Sequence, residues 1–445
     1  MRHIGRVGAL ALALGVGVPL APHAGAAQVS GEEPCVNSEC QPPKTALIMG
    51  GTTIPTPNQY FLDVVKNQAI DPLYPGQDIT YVPVTTPEEA FPLGPTFRLL
   101  ALILLATDGD NLDARFVAAQ YDVPVYKLTG FFDLLLDDSV AQGVVDLEKA
   151  MAQNGGDHLI IYGYSQGTGV ANAEKEKLDA LYPVGTEGAP DIEFVLGGDP
   201  RTPNGGIAAR FPGLPTVILG TFAGPEKTDT QFHTTVINQQ YDGFADFPLY
   251  PVNLLADANA VAGIVFVHFY AASTTLAPDP ELSGAVHTTT DNTDYYILPS
   301  ENLPIFTPLR IAGVPEPLID VVEPVTKVLV ETGYDRTIPP GTPAPAQLIP
   351  KLDPAKVGTD LVGAVKEGVD NALALPEKLI PKSATTKATI KPETTTKTVK
   401  PKPASGSKFT PGEKVQAKAK KIKNAVHEVG DKVRDALKPE KDTDK

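Results

Sequence analysis

Cysteine is almost missing from this chain of 445 residues, which has two, and tryptophan is missing altogether. Both cysteines, Cys35 and Cys40, lie near the N-terminus. Their position excludes a cysteine nucleophile and a zinc–thiolate site from the rest of the chain. Histidine is scarce as well, with seven residues. Any chemistry that needs an imidazole must therefore draw on a small set of candidates.

The N-terminus has the pattern of a secretory signal peptide. Arg2 and Arg6 come first, an apolar stretch follows over residues 7–20, and Ala26 and Ala27 close a segment of small residues. This order of positive charge, apolar stretch and A-x-A site predicts cleavage near Ala26–Ala27 and a secreted or cell-envelope protein. An uncleaved anchor is the alternative, although a short stretch rich in Gly and Ala suits a bilayer span poorly. No other segment has 18 uninterrupted apolar residues, so we expect the mature protein to be soluble or peripheral.

The two cysteines follow the predicted cleavage site closely. In an oxidising compartment we expect a Cys35–Cys40 disulfide, which would close a small loop in an N-terminal arm over residues 28–43. Two free thiols without a catalytic part are the alternative.

Charge is distributed unevenly along the chain. Residues 381–445 carry 17 Lys+Arg against 8 Asp+Glu, a net charge of +9, whereas the preceding 380 residues carry 20 against 45. Residues 382–402 are almost entirely Lys, Thr, Pro, Ala and Ser, which predicts a disordered basic tail. Apart from Phe409 the tail lacks aromatic residues, so nucleic-acid binding is not expected. It is either a solvated tail or an electrostatic attachment to anionic envelope polymers or lipid headgroups.

Short apolar runs alternate with amphipathic segments, which predicts a mostly parallel sheet with helices on both faces. The predicted strands are residues 45–49, 123–128, 158–162, 192–196, 216–219 and 234–238, and the predicted helices are residues 139–153, 168–175, 324–334 and 354–373. The apolar run over residues 98–106 is of uncertain type. The predicted domains are a signal peptide (1–27), an arm (28–43), a main α/β domain (44–345), a helical extension (346–380) and the tail (381–445).

The pentapeptide Gly163-Tyr-Ser-Gln-Gly167 matches G-x-S-x-G and stands between a predicted strand and a predicted helix. In an α/β-hydrolase this motif forms a sharp turn that exposes a serine at the end of the sheet. The flanking glycines avoid clashes with the neighbouring strand and helix. We therefore predict an α/β-hydrolase in which Ser165 is the nucleophile, with an ordinary strand-to-helix turn as the alternative.

A serine hydroxyl needs a base, and histidine is the usual one. His3 and His23 fall in the predicted signal peptide, His427 falls in the tail, and His158 precedes the nucleophile, whereas this fold places the base after it. The remaining candidates, in order of preference, are His268, His287 and His233.

The acid partner is expected between the serine and the histidine, beyond a late strand. Asp242 follows the predicted strand 234–238 directly and precedes a glycine, so it is the preferred candidate. Asp246, Asp257 and Asp199 are its rivals, with turn capping as their ordinary role.

Two backbone N–H groups are predicted to form an oxyanion hole. One belongs to Gln166, the residue after the nucleophile. The other is expected from the glycine-rich loop after the first strand, residues 50–53, where Thr52 is preferred. A simple turn at Gly50-Gly51 is the alternative.

Seven segments between residues 45 and 335 resemble the PE-PPE domain of mycobacteria and their relatives. They are residues 50–57, 163–167, 240–248, 253–259 together with 268–270, 295–304 and 328–334. The family is similar to cutinases and serine esterases, and the resemblance places its triad on Ser165, Asp242 and His268 and an oxyanion donor near Thr52. It implies either esterases of short and medium acyl chains or acyltransferases that load trehalose glycolipids. A signal peptide is expected here in place of the N-terminal PE or PPE module.

The predicted function is that of a secreted or envelope-associated serine carboxylester hydrolase without cofactor or metal. Its expected partners are an acyl ester or glycolipid substrate and, through the tail, an anionic envelope polymer or lipid. The alternatives are an acyltransferase acting on trehalose-type glycolipids and a non-catalytic envelope-binding protein. The candidates for a lid are the segment between Phe244 and His268 and the segment after Tyr270.

Overall fold

The computed structural model describes residues 44–108, 130, 132–155, 158–213, 224–269, 280 and 283–378, without the side chains of 102–108 and 376–378. Several predictions fall outside these residues. They are the signal peptide and arm with Cys35 and Cys40, the strands 123–128 and 216–219, the lid candidate after Tyr270, and the basic tail 381–445. Within the described part of the chain, every helix is too short or too polar to cross a membrane.

Seven strands form one sheet in the order β2-β1-β3-β4-β5-β7-β6. Their bounds are β1 Lys44–Ile48, β2 Ile79–Pro83, β3 Leu159–Tyr164, β4 Ile192–Gly197, β5 Thr234–Gln239, β6 Val286–Thr290 and β7 Thr293–Leu298. All neighbours are parallel except β6 and β7, which pair antiparallel. The predicted mostly parallel sheet is confirmed.

Ten α-helices accompany the sheet in the described residues. They are α1 Gln59–Val65, α2 Leu93–Asp108, α3 Leu136–Gln153, α4 Gln166–Leu181, α5 Ile207–Arg210, α6 Leu254–Gly263, α7 Thr307–Ile311, α8 Glu316–Ile319, α9 Glu323–Glu331 and α10 Pro354–Lys378. A π-helical turn extends α1 over Lys66–Ile70, and another extends α6 over Ile264–His268. A 3-10 turn, Pro304–Phe306, precedes α7.

The side chains of the central strands are mostly buried because both faces of these strands are covered. Alternate residues of a strand point to opposite faces. Leu47 and Ile161 join a core cluster that includes side chains of α3 and α4. Ile48 and Ile160 join a cluster on the other face, which includes side chains of α1. Helices therefore cover both faces, as predicted, and the fold is that of an α/β-hydrolase.

Most predicted elements in the described residues are present. Runs 45–49, 158–162, 192–196 and 234–238 are β1, β3, β4 and β5, and the four predicted helices are α3, α4, α9 and α10. The run 98–106, whose type was uncertain, lies in α2. The sequence did not single out β2 or the β6–β7 hairpin, which lie at the sheet's two edges, and every residue of β2 and β6 is exposed or half-buried. The domain boundary at residue 345 stays a prediction.

The carboxyl ends of β1, β3, β4 and β5 meet at one edge of the sheet because these strands are parallel. In open α/β sheets, ligands bind at this edge. The loop after β1, the turn after β3 and the loop after β5 therefore converge there, and they carry the predicted site residues.

Candidate active site

Ser165 stands on a strained turn between β3 and α4. Its backbone has φ 52° and ψ −114°, a region that residues other than glycine rarely adopt. A Cβ at position 163 would lie 2.3 Å from the carbonyl oxygen of Gly167, which confirms the predicted clash with the helix. A Cβ at position 167 would lie 2.3 Å from the carbonyl oxygen of Gly50, so there the close neighbour is the loop after β1.

A continuous chain of hydrogen bonds joins Ser165, His268 and Asp242. The Oγ of Ser165 lies 2.7 Å from His268 Nε2. His268 Nδ1 lies 2.7 Å from Oδ2 and 2.9 Å from Oδ1 of Asp242. All three side chains are buried. With Nδ1–H donating to the carboxylate, Nε2 is left as an acceptor for the serine hydroxyl.

Neighbouring groups hold the imidazole and the carboxylate in place. The ring of Tyr164 stacks on His268 with centroids 5.3 Å apart, and Phe244 contacts the same ring edge-on at 4.7 Å. The Tyr164 hydroxyl donates to the backbone carbonyl of His268. Asp242 Oδ1 also accepts from the backbone N–H of Phe244, at 2.9 Å. Packing and hydrogen bonds thus orient both groups toward the serine.

The other histidine candidates lie elsewhere and have their own partners. His287 and His233 both contact Asp294, with N–O distances of 3.2 Å and 3.0 Å. His158 contacts Asp191 at 2.7 Å. Of the three histidines that the sequence left open, the structure brings only His268 to Ser165.

The rival carboxylates also have other roles. Asp246 accepts from the backbone N–H of Tyr241 and pairs with Arg336. Asp199 accepts from Thr168 at 2.9 Å. Asp257 belongs to α6, and burial raises its pKa to about 6. The carboxylate that contacts the imidazole is Asp242.

The side chain of Gln166 connects the predicted oxyanion loop to the rest of the site. Its Oε1 accepts from Thr52 Oγ1 at 2.8 Å. Its Nε2 donates to Ser139 Oγ at 2.7 Å and to the backbone carbonyl of Glu89 at 3.0 Å. The sequence singled out Gln166 for its backbone only. Ser139 and Glu89 carried no sequence signal, because nothing local relates them to residue 166.

Thr52 and Gln166 both lie beside Ser165. A Cβ at Gly51 would lie 2.9 Å from the Cβ of Ser165, so the loop after β1 touches the serine. Gln166 is the first residue of α4, where backbone N–H groups lack intrahelical acceptors and the helix dipole favours negative charge. Two predicted oxyanion donors thus flank Ser165.

A cleft with an empty volume of about 650 Å³, including its mouth, opens beside Ser165. Its apolar walls include Leu93, Phe97, Leu136, Val140, Ile207 and Phe244. Arg201, which pairs with Glu176, is the charged member of its described lining. A smaller pocket of about 230 Å³ lies between His268, Phe269 and the loop after β1. Ser165 borders both spaces.

One wall of the cleft is formed by α2, which the sequence did not single out as part of the site. Leu93 and Phe97 of α2 line the cleft, and Phe97 packs edge-on against Phe269 at 4.7 Å. The lid candidate between Phe244 and His268 contains α6 and the π-helical turn that ends on His268.

A buried carboxyl group, Glu88, lies next to the loop after β1. Its backbone carbonyl accepts from the N–H of Thr53 at 2.8 Å, and its Oε1 accepts from Thr86 Oγ1 at 2.7 Å. Its Oε2 has no hydrogen-bond partner among the described residues. Burial raises the pKa of Glu88 to about 8 from its ordinary value of 4.5, although the hydrogen bond from Thr86 opposes this shift.

This raised pKa predicts a stability loss toward alkaline pH. Between pH 4.5 and 8 the unfolded chain ionises Glu88 while the folded chain keeps it neutral, so the free energy of unfolding falls as pH rises through this window. Glu88→Gln stays neutral and should remove the loss. We expect the variant to match the parent near pH 4.5 and to exceed it by about 2–4 kcal/mol at pH 8.5. Urea unfolding at both pH values measures this, and an equal difference at the two pH values would contradict it.

One group of acidic side chains in the described residues is close enough to hold a metal ion. It consists of Glu316, Asp320 and Glu323. Arg310 pairs with both Glu316 and Glu323, at 2.6 Å each, so an internal cation already neutralises part of this group. None of its members lines the two spaces beside Ser165.

Comparison with known proteins places this sequence in a family. The PE-PPE domain model matches residues 115–335. Over 331 residues the chain is 38% identical to "Esterase PE16" of Mycobacterium tuberculosis (strain ATCC 25618 / H37Rv), covering 72% of this chain and 54% of the relative. Over 353 residues it is 32% identical to "PE family protein PE3" of the same strain, covering 76% and 66%.

A third relative carries a different activity in its name. The chain is 32% identical over 209 residues to "Diacyltrehalose acyltransferase Chp2" of the same strain, covering 44% of this chain and 56% of the relative. The chain spans about half the length of the first curated relatives it matches. No solved structure matches. With the domain model and these relatives in agreement, the chain belongs to the PE-PPE domain family.

Proposed function

We propose that this chain is a serine carboxylester hydrolase that acts on short to medium acyl esters. The single observation that carries the proposal is the buried hydrogen-bonded chain from Ser165 through His268 to Asp242. It starts on a strained turn and opens on an apolar cleft. A binding protein has no need of this arrangement, so a non-catalytic envelope protein is the weaker hypothesis.

In the acylation step, Ser165 Oγ attacks the ester carbonyl carbon while His268 Nε2 takes the hydroxyl proton. Asp242 accepts the Nδ1–H bond and stabilises the imidazolium that forms. The tetrahedral oxyanion is stabilised by the backbone N–H groups of Gln166 and Thr52. When the C–O bond to the alcohol breaks, His268 returns its proton to the leaving oxygen, and an acyl-serine remains.

In the deacylation step, water replaces the alcohol. His268 takes a proton from water, the hydroxide oxygen bonds to the acyl carbon, and the bond to Ser165 breaks. The proton then returns to the serine oxygen, and a carboxylic acid leaves. No cofactor is needed, because every proton and bond is accounted for by the three side chains, the ester and water.

The second candidate function is an acyltransferase, which shares the acylation step. The similarity to Chp2 and the pocket of about 230 Å³ beside His268 favour it. That pocket borders the group that would deprotonate an acceptor hydroxyl, such as that of trehalose. The relative named an esterase is more similar and covers more of this chain, which favours water as the acceptor.

A competition experiment tests the proposal. The full chain is incubated with p-nitrophenyl butyrate, with and without trehalose, and both nitrophenolate and acyl-trehalose are measured. We expect nitrophenolate and free butyrate in both mixtures. Acyl-trehalose as the main product would establish the acyltransferase instead, and the absence of both nitrophenolate release and fluorophosphonate labelling would refute both activities.

The cleft beside Ser165 also predicts how acyl length is limited. Gly169 lines the cleft, and a Cβ there would meet Val140 Cγ2 at 3.5 Å, an ordinary contact. Gly169→Leu should fill part of the cleft without a backbone clash. We expect kcat/KM to fall at least about tenfold for decanoyl esters, through the loss of apolar contacts, and less than twofold for acetyl esters. Equal losses of kcat/KM for the decanoyl and acetyl esters would indicate that the acyl chain does not bind in this cleft.

We also propose that the protein is exported to the cell envelope or beyond. The charge and apolar pattern of residues 1–27 and the basic composition of residues 381–445 support this. N-terminal sequencing of protein recovered outside the cytoplasm should begin just after Ala26 or Ala27. A mature chain that keeps Arg2 and Arg6 would contradict cleavage.

A further inference from the structure

Apolar side chains are exposed on the outer side of the two elements that wall the Ser165 cleft. On α2, Leu93 and Phe97 line the cleft, whereas Leu99 is 55% exposed. At the start of α3, Leu136 lines the cleft, whereas Leu135 is 48% exposed. Each of these two segments therefore carries apolar side chains on the cleft and another apolar side chain in solvent.

The segments that carry these exposed side chains are held together by two contacts. Residues 132–135 lead into α3 and are tied to α2 by the buried Arg98–Asp133 ion pair at 2.5 Å. The N–H of Phe91, just before α2, donates to the carbonyl of Leu134 at 3.0 Å. We call this surface the cleft rim. Its exposed apolar members are Phe91, Leu99, Phe132, Leu134 and Leu135.

The accessible charges within the described segments of the cleft rim are acidic. Over residues 89–99 and 132–138 the one basic residue is Arg98, whose side chain is buried against Asp133. The accessible charged residues of these segments are Glu89, Asp137 and Asp138. An apolar surface with this surrounding repels anionic headgroups, but it suits an apolar layer whose headgroups carry no net charge.

We propose that the cleft rim docks on a lipid surface with uncharged or zwitterionic headgroups, so that the mouth of the Ser165 cleft faces the lipid. Because the rim continues into the apolar cleft, an acyl chain can pass from the lipid into the cleft while staying in apolar surroundings. This step rests on the proposed esterase function. Docking itself depends only on the exposed side chains, so the two are separable by experiment.

The test measures binding of the full-length chain, carrying Ser165→Ala, to phosphatidylcholine vesicles in 1 M NaCl. High salt suppresses electrostatic attachment of the basic tail. The test variant adds Leu99→Gln, which keeps a good helix former, and Leu135→Ser, which places a capping side chain at the N-cap of α3. We expect its vesicle binding to fall at least about tenfold, since two exposed leucines no longer enter the lipid.

A matched control removes two apolar side chains far from the cleft, near the amino-terminal ends of the strands. Leu181 at the end of α4 and Val184 are 63% and 68% exposed, and Leu181→Gln with Val184→Ser should bind vesicles like the parent. In the active background, the rim variant should hydrolyse dissolved p-nitrophenyl butyrate within twofold of the parent, while hydrolysis of an ester embedded in the vesicles falls with binding.

Three outcomes would overturn the docking proposal. The parent could fail to bind phosphatidylcholine in high salt, it could bind only anionic vesicles at low salt, or the control pair could lose as much binding as the rim pair. If the rim pair alone loses binding but the parent hydrolyses no ester, docking is upheld and the proposed esterase function fails.

Discussion

Ser165→Ala should lower kcat/KM for p-nitrophenyl butyrate by about 10⁴- to 10⁶-fold while the protein stays folded. The loss is large because the serine oxygen forms the covalent intermediate, and the imidazole and carboxylate cannot act without it. The fold should tolerate the change, since the removed oxygen contacts the imidazole of His268 and alanine adds no volume. Steady-state kinetics, fluorophosphonate labelling and circular dichroism measure the three parts of this expectation.

The two histidine variants provide the matched comparison. His268→Gln should lose activity to a similar degree, because Ser165 then has no base. His287→Gln should keep activity near that of the parent, since this imidazole contacts Asp294. Activity near the parent level in Ser165→Ala would contradict the role of Ser165 as the nucleophile. Equal losses in the two histidine variants would contradict the role of His268 as the base.

Gly167→Ala is the second change with a large expected effect, and it acts on the fold. Its Cβ would lie 2.3 Å from the carbonyl oxygen of Gly50, a backbone atom that can move only with the loop after β1. We expect a loss of about 3 kcal/mol in the free energy of unfolding and a fall of about 10 °C in Tm. Activity should fall as well, because the displaced loop carries Thr52. Thermal and urea unfolding with ester kinetics measure these effects.

The control for this change lies two residues further along the same helix. In Gly169→Ala the added Cβ finds its nearest neighbour, Val140 Cγ2, at 3.5 Å. Alanine favours a helix over glycine by up to about 1 kcal/mol, so Tm should stay the same or rise. If the two variants lost equal stability, the close approach of α4 to the loop after β1 would not be the cause.

Gly163, Ser165 and Gly167 show why the local sequence was informative for this site. G-x-S-x-G describes a turn whose steric demands arise within five residues, so residues 163–167 carry them in full. The short apolar runs within β1, β3, β4 and β5 were equally readable, since both faces of these strands are buried. Edge strands lack that signature. β6 is mostly exposed or half-buried, and it was missed together with its partner β7.

By itself, the sequence determined the class of the fold, the position of the nucleophile turn and a short set of candidates for each partner. It did so because turn sterics, burial of central strands and the scarcity of histidine are properties of local segments and of composition. The family resemblance singled out Asp242 and His268 within that set, and only the tertiary structure shows that these two and Ser165 are in contact. Asp242 lies 77 residues and His268 lies 103 residues beyond Ser165, and the parallel strands bring their loops to one edge of the sheet. The same long-range packing brings Ser139 and Glu89 to Gln166 and makes α2 a wall of the cleft. No local sequence pattern encodes such contacts.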